Sequence, residues 1–258
     1  MKLFVFILGG LLSLGWIFPP LVPAQPSPAK GLPQAYLRYL CASEGNVPPK
    51  VFGEWPQFQP PRRLAVEGGP AGPLLLASQL LPLYSAGYQP MALAPGKIVM
   101  QELSAAPADK TPPKTLASLN FQPKAGRFYT LLIRGEGAAQ KLDLLEDEPA
   151  VVPTSKDGEE PRPPRRSLRC LVLEPGLQVK IASPEAGIQL AAGPDKPVVA
   201  ENLRKGLWSL ELAGENKGQA FTTSVELDLE APGNWTLFFM KDIYGRVAPT
   251  LKKDASLD

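Results

Sequence analysis

The chain has 258 residues, 44% hydrophobic and 20% charged, with a net charge of +2, which suits one large or two ordinary globular domains. The charges are interspersed, so no basic field exists to hold nucleic acid. Histidine is absent, which excludes Ser-His-Asp and Cys-His catalysis as ordinarily built and removes imidazole metal ligands. The 31 prolines disfavour long helices and favour turns and extended segments.

Residues 1–24 read as a secretory signal peptide. Lys2 supplies the charged start, an apolar run spans 3–18, and Val22-Pro23-Ala24 offers small residues before Gln25. About 16 apolar residues is short for a membrane span. Cleavage and export are therefore expected in preference to an uncleaved anchor, with no span left in the mature chain. Residues 25–34 form a Pro-rich lead-in.

A first domain is expected over 35–149. It opens with a strand at 35–41 that sets Leu37, Tyr39 and Cys41 on one face. Residues 44–73 are dense in Pro and Gly, with Trp55 and Phe58 as a possible lid. The apolar run 73–83 favours a strand. Residues 87–93 and 97–103 look like a hairpin around Ala94-Pro95-Gly96. The stretch 115–148 reads as an antiparallel meander of three short strands cut by Gly and Pro.

Residues 150–166 hold four prolines and mixed charge and read as a solvated linker. A second domain is expected over 167–251, with strands at 177–182, 187–191, 198–203, 207–212, 221–229, 235–241 and 246–251. A charged, frayed tail follows at 252–258. The second domain repeats the first. Leu168-Arg169-Cys170-Leu171-Val172 answers to Leu37-Arg38-Tyr39-Leu40-Cys41, and Trp235-Thr236-Leu237 to Tyr129-Thr130-Leu131. Leu227-Asp228-Leu229 answers to Leu119-Asn120-Phe121, and Gly233 to Gly126. The expected fold is thus all-β: two tandem antiparallel β-sandwich domains, jelly-roll or Ig-like.

Few residues suggest chemistry. The repeat points Cys41 and Cys170 into separate cores as free thiols. Asp143, Glu146, Asp147 and Glu148 sit at a strand end, where solvated charge is the ordinary reading. Asn234-Trp235-Thr236 fits a glycosylation sequon but starts a core strand. No phosphate loop, metal cluster or nucleophile–base pair is legible, so neither enzyme activity, metal nor cofactor is expected. The candidate binding residues are Tyr84, Ser85 and Tyr88, an amphipathic patch expected on a turn.

The order of these pieces resembles the periplasmic accessory family of alginate O-acetylation, the F-type component of alginate O-acetyltransferase systems. Tyr36-Leu37-Arg38-Tyr39, Ser85-Ala86-Gly87-Tyr88, Leu93-Ala94-Pro95-Gly96-Lys97 and Gly126-Arg127-Phe128-Tyr129-Thr130-Leu131 carry the likeness. Asp147-Glu148-Pro149, Leu168-Arg169 and Arg246-Val247-Ala248-Pro249 complete it, over residues 35–250. The Pro-rich loop at 45–72 and the long charged linker depart from the family's outline. The resemblance implies a periplasmic, non-catalytic protein that contacts the acetyltransferase machinery, the polysaccharide, or both. A secreted carbohydrate-binding or adhesive module is the alternative.

Overall fold

The computed structural model describes residues 34–43, 57–58, 60–69, 72–104, 112–135, 139–147, 166–194, 196–216, 218–241 and 246–254. The expected signal peptide, Trp55 and linker positions 150–165 lie outside the described residues. No helix among those residues is long and apolar enough to cross a membrane.

Among the described residues, alternating apolar and polar residues cut by Gly and Pro produce seventeen short strands. In the first domain they are β1 (Gln34–Cys41), β2 (Arg62–Glu67), β3 (Leu74–Ala77), β4 (Tyr84–Ser85), β5 (Gln89–Ala92), β6 (Gly96–Glu102), β7 (Lys114–Phe121), β8 (Phe128–Arg134) and β9 (Lys141–Asp147). In the second they are β10 (Arg166–Val172), β11 (Gln178–Ser183), β12 (Ile188–Ala192), β13 (Val198–Ala200), β14 (Leu207–Asn216), β15 (Gln219–Asp228), β16 (Gly233–Lys241) and β17 (Val247–Lys253).

Each domain is a sandwich of two sheets. Sheet β3-β2-β6-β7 faces β4-β1-β8-β9, with β5 also paired to β1; sheet β12-β11-β14-β15 faces β13-β10-β16-β17. All pairs are antiparallel except β1–β8 and β10–β16, which are parallel. The two domains share one strand order, with β4 and β5 together standing where the second has β13, so the duplication extends to the topology. Register refines one equivalence: Tyr36 pairs with Phe128 and Ser167 with Asn234, which sets Gly233 opposite Arg127 of the first copy, not Gly126.

Two expectations about connectivity fail. β5 pairs with β1 while β6 pairs with β2 and β7, so residues 87–103 cross between sheets and form no hairpin. Gly96 marks the crossing, because a Cβ there would meet the Glu67 carbonyl oxygen at 2.7 Å. Likewise β7 belongs to one sheet and β8 to the other, and only β8 and β9 form a hairpin. The meander over 115–148 is therefore a sheet crossing followed by a hairpin.

The inward faces build one core per domain. Leu37, Tyr39, Cys41, Leu64, Ile98, Leu131 and Ile133 anchor the first. Leu168, Cys170, Ile181, Leu210, Leu212, Leu237 and Phe239 anchor the second. Both thiols are buried and free, one in each core, as the repeat register requires. Phe58 is not a lid but a fully buried core residue, with the Arg62 guanidinium 4.2 Å above its ring.

A third cluster lies between the domains. Leu40 and Leu132 from β1 and β8 pack on Leu171, Leu173, Phe238 and Met240 from β10 and β16. The outward faces of the two inner sheets thus cover each other, and the molecule is four sheets deep. That explains β8 and β16, whose residues are buried on alternate sides almost without a break.

Candidate functional site: a buried charge network between the domains

The interdomain seam turns polar beside the apolar cluster. On β1 and β10 the outward residue two positions before Leu40 and Leu171 is an arginine in each copy, Arg38 and Arg169. On β8 and β16 the paired neighbours are Thr130 and Thr236. At the ends of β9 and β17 stand Asp147 and Asp254. The repeat therefore brings two copies of an Arg-Thr-Asp set face to face.

The pairing is exchanged across the seam. Arg38 Nη2 donates to Asp254 Oδ1 at 2.6 Å, and Arg169 Nη2 lies 2.6 Å from Asp147 Oδ1. Within a domain the same ions are farther apart, Arg38 Nε at 4.0 Å from Asp147 and Arg169 Nη2 at 3.7 Å from Asp254. The threonines complete the shell. Arg38 Nε donates to Thr130 Oγ1 at 2.8 Å, and the Thr130 hydroxyl donates to Asp147 Oδ2 at 2.5 Å. Arg169 Nη2 donates to Thr236 Oγ1 at 3.0 Å, and Thr236 donates to the Asp254 carboxylate.

Burial makes this arrangement consequential, since Asp147 is 1% exposed, Arg38 4% and Asp254 5%. Two cations and two anions sum to zero, so no net charge is stranded in the interior. Burial pushes the Asp254 carboxyl above its ordinary value, against the pull of Arg38 and Arg169. Burial also works against the Arg169 charge, but Asp147 and Asp254 outweigh it and hold that guanidinium more firmly protonated than usual.

Tyr88 closes the network on the first-domain side only. Its hydroxyl donates to Asp147 Oδ2 at 2.6 Å, and the Arg38 guanidinium lies 4.6 Å over its ring. Its edge meets Phe128, which stacks on Tyr36. The second domain replaces that aromatic pair with a polar one, in which Ser167 Oγ donates to Asn234 Oδ1 at 2.7 Å. Beside it a cleft of about 340 Å³ opens between the domains, with Arg169, Asp254, Ser167, Asn234, Glu146 and Val199 on its walls.

The three candidate binding residues part company. Tyr84 and Ser85 form strand β4, paired with Cys41 and Leu40, and are not turn-borne. Tyr84 is 36% exposed and leans on Tyr39. Tyr88 is half-buried and committed to Asp147. Two sequence expectations are corrected here. Asp147 is not solvated, because the second domain covers it. The tail is not frayed through Asp254, which is locked on Arg38 and Thr236; residues 255–258 lie outside the described residues. Both polar residues of the sequon, Asn234 and Thr236, are buried.

Sequence reasoning missed Arg38, Arg169, Thr130, Thr236 and Asp254. Their signal was present: an Arg, a Thr and an Asp recur at equivalent positions of both copies, on faces where the core does not need them. Among the described residues no group of three His, Cys, Asp or Glu side chains could hold a metal ion.

No family model matches the chain. No curated protein matches it in sequence either. Among solved structures, it is similar to a candidate cell adhesion protein of Bacteroides fragilis, at 10% identity and a TM-score of 0.25, over 87% of this chain and 99% of that one. It is also similar to the TIE protein of Bacillus anthracis, at 10% identity and a TM-score of 0.21, over 80% of this chain and 33% of that one. Likenesses at that level carry no argument about function.

Proposed function

We propose that the chain is a non-catalytic, periplasmic accessory protein in the O-acetylation of an exported polysaccharide, presenting its two sandwiches as one rigid body. The observation that supports this reading is the interdomain network. The buried Arg38, Asp147 and Asp254 and the half-buried Arg169 and Tyr88 are spent on one another. Such a network fixes geometry and offers no free acid, base or nucleophile. The polysaccharide and its acetyltransferase machinery come from the family resemblance, and export from the signal peptide. Tyr84 and Ser85, outside the network, are the residues that a partner would meet.

Deleting the gene should lower the acetyl content of the exported polymer, and Tyr84→Ala should lower it in part while the protein remains folded and exported. Unchanged acetyl content in the deletion strain would refute the role. The second reading, a secreted carbohydrate-binding or adhesive module, would then take its place; it draws on the exposed Tyr84 and Leu207. In that case Tyr84→Ala should weaken retention of the protein on immobilised polysaccharide.

A further inference from the structure

An outermost strand presents one row of backbone N–H and C=O groups without partners, and folded proteins guard such edges by shortness, bulges, Pro or Lys. Most edges of this molecule are guarded. β3, β4, β5, β12 and β13 are five residues or shorter. β17 carries Pro249, Lys252 and Lys253, and β9 carries Lys141, Asp143 and Glu146. β7 follows Pro112 and Pro113, begins with Lys114, and has a register shift against β6 between Met100 and Gln101.

β15, the counterpart of β7, is the least guarded, since its two charges, Glu226 and Asp228, are confined to one end. It is ten residues long, contains no Pro, Lys or Arg, and pairs with β14 in unbroken register from Gln219 to Asp228. It stands last in its sheet, so its outer edge meets no strand among the described residues. Thr222, Thr223 and Ser224, at its middle, are exposed.

We propose that β15 is an assembly edge, where a second copy of this chain adds its own β15 antiparallel about a two-fold axis at Thr223. The charge pattern selects this partner. The carboxylates of β15, Glu226 and Asp228, lie at one end, and residues 219–225 are uncharged. Antiparallel self-pairing keeps the two acidic ends apart, whereas parallel addition would set like charges opposite each other. A two-fold axis also needs a self-complementary patch. Opposed residues in an antiparallel ladder share a face, so the axis must fall on a residue, not between two. At Thr223 it sets Phe221 opposite Val225 of the second copy, and Thr222 opposite Ser224. Phe221 and Val225 are both half-buried against the second core, and each would finish covering the other. An aromatic facing a β-branched residue is among the favourable cross-strand pairs. The result is one continuous sheet running through both molecules.

Sedimentation velocity of the intact protein from low to high micromolar concentration tests this. The wild type should dimerise. Thr222→Lys with Ser224→Lys sets lysines opposite lysines and should weaken association at least about tenfold. Thr222→Glu with Ser224→Glu should do the same. Mixing the two variants should restore a dimer of one copy of each. Gln189→Lys with Ala191→Lys, on the far edge strand β12, should dimerise like the wild type. Circular dichroism and thermal midpoints confirm that each variant is folded. A wild type that stays monomeric overturns the proposal. So do charged variants that dimerise normally, a mixture that stays monomeric, or dissociation of the β12 variant.

Discussion

At the scale of single residues, burial acts on thiols and phenols as well as on the ion network. Cys41 and Cys170 lie in the two cores, and burial pushes each thiol up to about 12. Burial also raises the Tyr39 and Tyr88 phenols well above the usual range. In every case the neutral, protonated form is the one that the fold accepts. The unfolded chain releases these protons first, thiols near 9.0 and phenols near 10.0. Their contribution is therefore complete below pH 9 and is lost as the pH rises through the folded values. The unfolding free energy from urea titration should hold between pH 7 and 9 and then fall, by about 1.4 kcal/mol per thiol per pH unit. Replacing both cysteines with Val should move the onset toward the tyrosine range. A free energy unchanged to pH 11 would count against the buried thiols. The inward register of both cysteines was legible from the repeat alone, because alternation along a strand is local. The fate of Tyr88 was not, since its partner Asp147 lies 59 residues away on another strand.

At the scale of elements, β1 and β10 each carry an inward apolar face and an outward face with an arginine two positions before its seam leucine. Removing one partner of a buried ion network leaves the others uncompensated, which costs about 3–5 kcal/mol. Arg38→Ala should show a loss of that order in denaturant unfolding. Arg38→Met combined with Asp254→Leu should recover much of it, because the Arg169–Asp147 pair then remains balanced. A single substitution costing under about 1 kcal/mol would mean that the network holds nothing. Asp147 looked like solvated charge because Asp143 and Glu146 beside it are ordinary surface ions. Asp143 pairs with Arg134, and Glu146 with Lys124 and Arg127. Sequence position cannot separate the one buried carboxylate from its exposed neighbours; only the opposing sheet does.

At the scale of the whole molecule, the seam joins two sandwiches that would otherwise be independent. An apolar cluster and a neutral ion network at one contact favour a single cooperative unfolding transition. Phe238→Asp places an unpaired carboxylate among Leu40, Leu132 and Leu171. Calorimetry of that variant should resolve two transitions where the wild type has one, and its solution scattering should show a larger radius of gyration. One unchanged transition would show that the seam does not couple the domains.

The sequence by itself determined most strands, the duplication and the two cores, because alternation and turn residues act within a few positions; it hid β2, which lies in the Pro- and Gly-dense stretch 44–73. Strand limits in the second domain, from β11 to β17, lie within about two residues of that pattern, except that β13 ends at Ala200 and β14 runs on to Asn216. The tertiary structure alone decided which sheet each strand joined, as at β5 and β6 or β7 and β8, since a Gly-Pro turn serves a hairpin or a crossing equally well. It also decided what covers the outward faces of β1, β8, β10 and β16. Their apolar stretches, 39–41, 131–133, 170–172 and 237–240, say that both sides are buried, but not against what. The ion network draws on strands from both ends of the chain, and its four charges become a neutral set only when the two domains close on each other.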